Sequence, residues 1–284
     1  MQIKKALITA AGADQRKLAM QTLVDRDGNR KTVLEILIEE ARLAGVEQIG
    51  VVIHPGDLEV YSEIVAHDPQ IHFILQDRPL GYGYAVLCGK SFVGEEYFLH
   101  LVGDHLYVNR TEVPCAKHLT QIAKQNNCSV SAVTSTRENL IPNYGTIGGK
   151  RIPPTNDLYL IDKVIEKPTP TLAEQHLIVP GLRAGHYLCF FGMHVLSPAI
   201  MQILDKNLKN SGENKIGLTE AQNELAQKEQ YLALEKNDWR FDMGTRYGLL
   251  KAQLALALNG NDRDQVMSEL LEFFVMKNMN SAER

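Results

Sequence analysis

The sequence predicts an α/β protein built on an open, mostly parallel mixed sheet flanked by helices. Three observations predict it. Residues 6–11 are small and apolar without alternation, as in a strand covered on both faces. Residues 32–44 then place Val33, Leu34, Ile36, Leu37, Ala41 and Leu43 at helical spacing. Gln48–Ile53 returns to a continuous apolar run, which completes a strand–helix–strand unit.

The remaining elements follow in order. Gly45 stops the first helix. After the second strand, His54-Pro55-Gly56-Asp57 turns, and Asp57 caps a helix over 58–66. Ile71–Leu75 is a third strand, 84–92 a helix and 97–102 a fourth strand. This short alternation predicts right-handed βαβ units. Ligands of such sheets bind beyond the carboxyl ends of the strands.

The second half reads differently. Residues 144–149 and Leu158–Glu166 predict a hairpin around Pro153-Pro154-Thr155-Asn156-Asp157, and 185–192 another strand. They make a β-rich insertion over roughly 140–192. A helix over 219–227 and two terminal helices over 244–258 and 262–276 complete the chain. The organisation is one α/β unit over 1–243 and a helical segment over 244–284. Tyr247, Leu250, Leu254 and Leu258 form an apolar stripe whose default role is core packing, the alternative being a homo-oligomer contact.

Composition narrows the function classes. The net charge is −4, so no basic excess favours nucleic acid. Cys88, Cys115, Cys128 and Cys189 have no metal or redox spacing and read as free, buried thiols. No run has the length of a signal peptide core or a membrane span, which points to the cytoplasm.

Candidate site residues lie just past the strands. Ala11, Gly12, Arg16 and Lys17 follow the first strand, where a glycine lets backbone N–H groups approach a phosphate and the cations neutralise it. Gln76 follows the third, with an amide able to read a base edge, and Gly81-Tyr82-Gly83 opens the next helix. Asp104 follows the fourth, as a Mg²⁺ ligand or as a hydrogen-bonded buried carboxylate. Glu166-Lys167-Pro168 closes a strand with an acid and a cation, or is a surface pair. Asp242, in Trp239-Arg240-Phe241-Asp242-Met243-Gly244, caps the following helix or ligates a metal. A dinucleotide dehydrogenase fits poorly, because no Gly-x-Gly-x-x-Gly follows the first strand and no acid closes the second.

Taken together, these loops resemble the sugar-1-phosphate nucleotidyltransferases, and within them the bacterial UTP–glucose-1-phosphate uridylyltransferase type. The resemblance runs from Lys5 to about Leu258. It is carried by residues 5–12, by Leu23-Val24-Asp25 with the helix after it, and by the Gly81-Tyr82-Gly83-Tyr84-Ala85 helix start. Glu166-Lys167-Pro168, Asp242-Met243-Gly244, Tyr144-Gly145 and Gly192 with Val195-Leu196 complete it. The resemblance implies a Rossmann-like nucleotidyltransferase fold whose β-rich insertion is the sugar side. It implies UTP and glucose 1-phosphate as substrates and Mg²⁺ as cofactor. By it, Ala11, Gly12, Gln76 and Gly81 bind nucleotide, Asp104 and Asp242 hold the metal, and Gly145, Glu166 and Lys167 bind the sugar phosphate. Arg16, Asp104 and Lys167 are the catalytic set.

One loop departs from the family. The family reads Gly-Thr-Arg followed by Pro-Lys, whereas here Asp14 and Gln15 precede Arg16 and the stretch carrying Pro-Lys is missing. Asp14 puts a negative charge near a triphosphate, a repulsion of about 1–4 kcal/mol at contact distance. Two readings stand: a working uridylyltransferase with an altered loop, or a weak paralogue that binds nucleotide or regulates an active relative.

Overall fold

The computed structural model describes residues 1–13, 16–65, 68–212 and 214–282, with 277–282 by backbone alone. In chain order the strands are β1 (Lys5–Thr9), β2 (Thr22–Val24), β3 (Arg30–Thr32), β4 (Gln48–Ile53), β5 (Ile71–Leu75), β6 (Phe98–Val102) and β7 (His105–Val108). They continue as β8 (Ser129–Arg137), β9 (Gly145–Arg151), β10 (Leu158–Glu166), β11 (His186–Leu196), β12 (Tyr231–Glu235) and β13 (Trp239–Asp242). The helices are α1 (Val33–Leu43), α2 (Leu58–Ile64), α3 (Tyr82–Cys88), α4 (Lys90–Val93) and α5 (Cys115–Asn126). After them come α6 (Pro170–His176), α7 (Ala199–Ser211), α8 (Leu218–Lys228), α9 (Gly248–Leu258) and α10 (Arg263–Ala282).

Among the described residues one nine-stranded sheet runs in the order β5-β4-β1-β6-β11-β8-β12-β10-β9. The mixed, helix-flanked sheet read from the sequence is present, and its parallel part is localised. β5, β4, β1 and β6 are mutually parallel, as is the β8–β12 pair. β11 runs antiparallel to β6, β8 and β9, and β10 is antiparallel to both β12 and β9. The β-rich segment therefore extends the same sheet.

Two-residue alternation divides the core. Ala6, Ile8, Leu99 and Leu101 face one side, packed with α1, α5 and α9. Leu7, Phe98, Tyr231 and Ala233 face the other, packed with α3, α7 and α8. α1 starts where its chemistry dictates. Thr32 Oγ1 accepts from Glu35 N–H at 3.2 Å, and Glu35 Oε2 accepts from Thr32 N–H at 2.6 Å. The four cysteines are free thiols, three of them buried and Cys88 half-buried. No helix among the described residues is long and apolar enough to cross a membrane.

Several boundaries differ from the sequence reading. Asp57 does not cap α2, since its carboxylate turns to Arg16 instead. The end expected for that helix, Ala66, lies outside the described residues. The helix expected over 84–92 starts at Tyr82 and breaks at Gly89 into α3 and α4. The last strand expected to end at Gly192 continues to Leu196 through an irregularity between Phe190 and His194. The helix expected from 244 begins at Gly248. The stripe on α9 is also turned differently. Gly248, Ala252 and Leu256 are its buried side, while Tyr247 and Leu250 stand 59% and 55% exposed.

Candidate active site

Two adjoining cavities open beyond the carboxyl ends of β1, β4, β5 and β6, where an open α/β sheet places its ligands. The first, of about 490 Å³, is lined by Thr9, Ala11, Gly12, Arg16, Gln76, Gly81 and Lys215 among others. All the residues read as nucleotide-binding are therefore in one place. Gln76 is buried, and its Nε2 donates to the Arg78 carbonyl at 3.1 Å. Gly81 adopts φ +100°, and a Cβ there would lie 2.5 Å from the Ile216 carbonyl oxygen. A side chain would clash with backbone as well as strain the turn. The segment before α8 is pinned at this point. Ile216 N–H donates to Leu80 O at 2.8 Å, and Gly83 N–H donates to Ile216 O at 3.0 Å. That crossing brings Lys215 to the cavity wall.

Arg16 lines this cavity with its guanidinium already paired. Its Nε lies 3.2 Å from Asp57 Oδ2, and Tyr61 O–H donates to its carbonyl at 2.7 Å. Asp57 Oδ2 is buried with no hydrogen bond. The ion pair with Arg16 is what compensates that charge. Asp14 and Gln15, on which the reading of a repulsive loop rests, lie outside the described residues.

The second cavity, of about 330 Å³, is lined by Tyr144, Gly145, Glu166, Lys167, Thr219 and Arg240 among others. Glu166 Oε2 accepts from Thr219 Oγ1 at 2.7 Å. A Cβ on Gly145 would lie 2.9 Å from the Phe190 ring and 3.1 Å from that same carboxylate oxygen. Lys167 takes φ +47° and its N–H donates to Tyr144 O at 3.1 Å, so the backbone bends sharply at the strand end. Arg240 stacks over the Tyr144 ring at 4.3 Å and donates to Phe190 O at 2.5 Å.

Tyr82 walls both cavities. The residue is 38% exposed, yet its hydroxyl is tied to His100 Nε2 at 2.6 Å. His100 Nδ1 lies 2.9 Å from the Leu7 carbonyl, which requires the proton on Nδ1 and leaves Nε2 to accept from Tyr82. Burial, and then the Asp104 carboxylate, push the Tyr82 hydroxyl well above the usual tyrosine range. Burial lowers His100 to about 4. His194 stacks on His100 at 5.9 Å and is likewise lowered, first by burial and then by that neighbour. Its Nδ1 lies 2.5 Å from Ser131 Oγ, which in turn lies 2.5 Å from Tyr231 O–H. A neutral, buried polar network thus backs the boundary between the cavities.

Asp104 follows β6 and Asp242 ends β13. The β7–β13 pairing sets Asp242 opposite His105. Asp104, His105 and Asp242 each offer a ligand atom within 4.8 Å of the others. Asp104 is buried, and His105 lines the second cavity. Two carboxylate oxygens and one imidazole nitrogen form a donor set that fits a divalent cation. Asp242 does not cap the next helix, which starts later; its Oδ1 accepts from Gly244 N–H at 2.9 Å.

Sequence reasoning missed Tyr82, Lys215, Arg240, Thr219 and the part played by His105. Lys215 and Thr219 flank a helix start far from the strand ends in sequence, and only the crossing at Gly81 brings Lys215 in. His105 stood next to Asp104 in the sequence, and its neighbourhood was the available signal.

Comparison with known proteins agrees with this geometry. The family described as nucleotidyl transferase matches residues 19–258. The chain is 28% identical to UTP–glucose-1-phosphate uridylyltransferase 1 of Streptococcus pyogenes serotype M3, with 96% of this chain and 94% of that protein covered. A UTP–glucose-1-phosphate uridylyltransferase of Bacillus subtilis is also 28% identical, over 95% of this chain and 94% of its own. Among solved structures, a UDP-glucose pyrophosphorylase from Acinetobacter baumannii is 26% identical with a TM-score of 0.75, covering 96% of this chain and 100% of that one. A UTP-bound structure of the enzyme from that organism gives 26% and 0.73, with 95% and 99% covered. The family match opens at residue 19, so β1 and the loop to Arg16 lie outside it. It still spans most of the chain, from β2 to the end of α9, and with it the second cavity, Asp104 and Asp242. The chain therefore belongs to the nucleotidyl transferase family.

Proposed function

We propose that the protein transfers a uridylyl group from UTP to glucose 1-phosphate, giving UDP-glucose and pyrophosphate. The observation that carries the reading is the pair of cavities sharing Tyr82, with Asp104 and Asp242 beside the boundary. Uracil and ribose occupy the first cavity, against Ala11, Gly12, Gln76 and Gly81. Glucose occupies the second, its hydroxyls bonded by Glu166 and the Gly145 backbone, its phosphate by Lys167. A sugar-phosphate oxygen then attacks the α-phosphorus in line with the departing pyrophosphate. The chain contributes alignment and charge neutralisation, and Arg16 and Lys167 are its cations for that purpose. Asp104 and Asp242 would hold Mg²⁺, which when bound supplies charge neutralisation at the phosphates. Self-association through the outer faces of α9 and α10, where Leu250, Leu271 and Phe274 stand exposed, belongs to the same reading.

A second reading is favoured by the Arg16–Asp57 pair and by the shortened loop outside the family match. In it the protein binds UTP or UDP-glucose without efficient turnover, or regulates an active relative. Pyrophosphate release from UTP, glucose 1-phosphate and Mg²⁺ separates the two. Transfer predicts release that falls on the order of 100-fold or more in Asp104→Ala. No release, with UTP still raising the melting temperature, selects the binding reading.

A further inference from the structure

We propose that His105 is a third protein ligand of the divalent cation, and that its nitrogen makes the site prefer Mn²⁺ to Mg²⁺. The inference deepens the reading in which Asp104 and Asp242 hold the ion, and rests on it.

The geometry comes first. Three ligand atoms mutually within 4.8 Å have a common point no more than about 2.8 Å from each, so shifts of at most about 0.7 Å bring all three to bonding distance. His105 Nδ1 and Asp104 Oδ1 are 2.8 Å apart. Neighbouring ligands on an octahedral ion at about 2.1 Å stand about 3.0 Å apart, so this pair already has the spacing of two adjacent ligands. In the free protein one proton joins the two atoms. To bind a cation through Nδ1, His105 would carry its proton on Nε2, and the ion would sit to one side of the Nδ1–Oδ1 line.

The surroundings hold this arrangement. Asp242 sits across the β7–β13 pair from His105, and Met243 N–H donates to the Asp104 carbonyl at 3.0 Å. Gly192, at φ +81°, makes room for the ring, because a Cβ there would lie 3.3 Å from His105 Cδ2 and 3.2 Å from the Tyr107 hydroxyl. His105 is thus seated by a glycine on β11, with its side chain 14% exposed.

The donor set then decides the ion. Mg²⁺ favours oxygen, near-ideal octahedral geometry and retained water. Imidazole nitrogen favours the transition ions. Two carboxylates and the substrate's phosphate oxygens keep the site predominantly hard. A single nitrogen therefore tilts it from Mg²⁺ to Mn²⁺, the hardest of the first-row transition ions.

The test uses the full-length protein with UTP and reads Mn²⁺ directly by electron paramagnetic resonance. Loss of the free-ion signal gives Mn²⁺ affinity, and competition gives Mg²⁺ affinity. Pulsed spectra report nitrogen-14 coupling when an imidazole is bound. The expected result is nitrogen coupling in the wild type and Mn²⁺ bound at least about tenfold more tightly than Mg²⁺. His105→Asp, an all-oxygen site, should keep metal binding, lose the coupling and bring the two affinities together. His105→Gln should lose the coupling and bind Mn²⁺ more weakly. Bound Mn²⁺ without nitrogen coupling overturns the proposal, as does coupling that persists in His105→Asp, or an unchanged Mn²⁺-to-Mg²⁺ ratio in that variant. Mn²⁺ that fails to bind at all overturns it too. Nitrogen-coupled Mn²⁺ in a protein that releases no pyrophosphate leaves this inference standing and removes uridylyl transfer.

Discussion

The two cavities that meet at Tyr82 are built by opposite means. The first is walled by loops that leave a parallel sheet, and its cations depend on how those loops run. Arg16 is held by Asp57, and Lys215 arrives on a segment pinned to Gly81. The second is walled largely by strands. Glu166 and Gly145 face each other across the β9–β10 pair, and β11 crosses behind them. At its back lies a buried network of His100, His194, Ser131, Gln222 and Tyr231. The difference teaches where a family's chemistry tolerates change. A loop can be shortened while the sheet beneath stays intact, whereas an altered strand end shifts every side chain that follows it.

The largest expected effect tests the rigid side. His100 stays neutral in the folded protein down to about pH 4, whereas the unfolded chain titrates it near pH 6.5. Between those values the unfolded state binds more protons, so stability falls as the pH drops from about 6.5 to about 4. The loss from His100 reaches roughly 3 kcal/mol at the acid end of that window. His194 is displaced in the same direction and adds to it. Urea midpoints measured from pH 7 to pH 4.5 should fall, and fall less steeply in His100→Gln. A flat profile would break the contrast between a rigid neutral network and an adaptable loop side.

Next is the loop side. Among the described residues Lys215 has no ion-pair partner and lines the first cavity, where the proposed function places UTP. Losing one charge-assisted contact to phosphate should weaken UTP binding about tenfold in Lys215→Ala. Calorimetric titration with UTP checks this, and the apparent affinity for glucose 1-phosphate should hold. Unchanged UTP affinity would mean that Lys215 faces solvent when nucleotide is bound.

The smallest effect concerns Asp57. Asp57→Asn releases Arg16 from its pair and removes a negative charge near where the proposed function places the triphosphate. UTP should bind on the order of threefold more tightly in the same titration. Weaker binding would reverse the assignment, making Asp57 the group that aims Arg16 at the phosphate.

Much of the first half was readable because β1 and β4 are short, largely apolar runs set off by turn and helix signals. The candidate residues were readable at strand ends, as with Gln76 just after β5, Asp104 two residues past β6 and Glu166 closing β10. They were not readable where tertiary crossing supplies the residue. Lys215 reaches the first cavity because the segment before α8 lies across two glycines, a fact with no local signature. Asp57 looked like a helix cap, as an Asp before a helix usually does. The nearby Arg16 offered its carboxylate a stronger partner than a backbone N–H. Gly192 looked like a strand end, yet it is a bend inside β11 that clears space for His105.

Lys167 illustrates a conflict between durability and turnover. Its left-handed backbone costs a non-glycine residue about 1 kcal/mol, and a glycine would relieve it. A glycine would also remove the cation from the second cavity. On the proposed reading, the residue that would relieve the backbone at this position is the one that would make the chain a poorer catalyst.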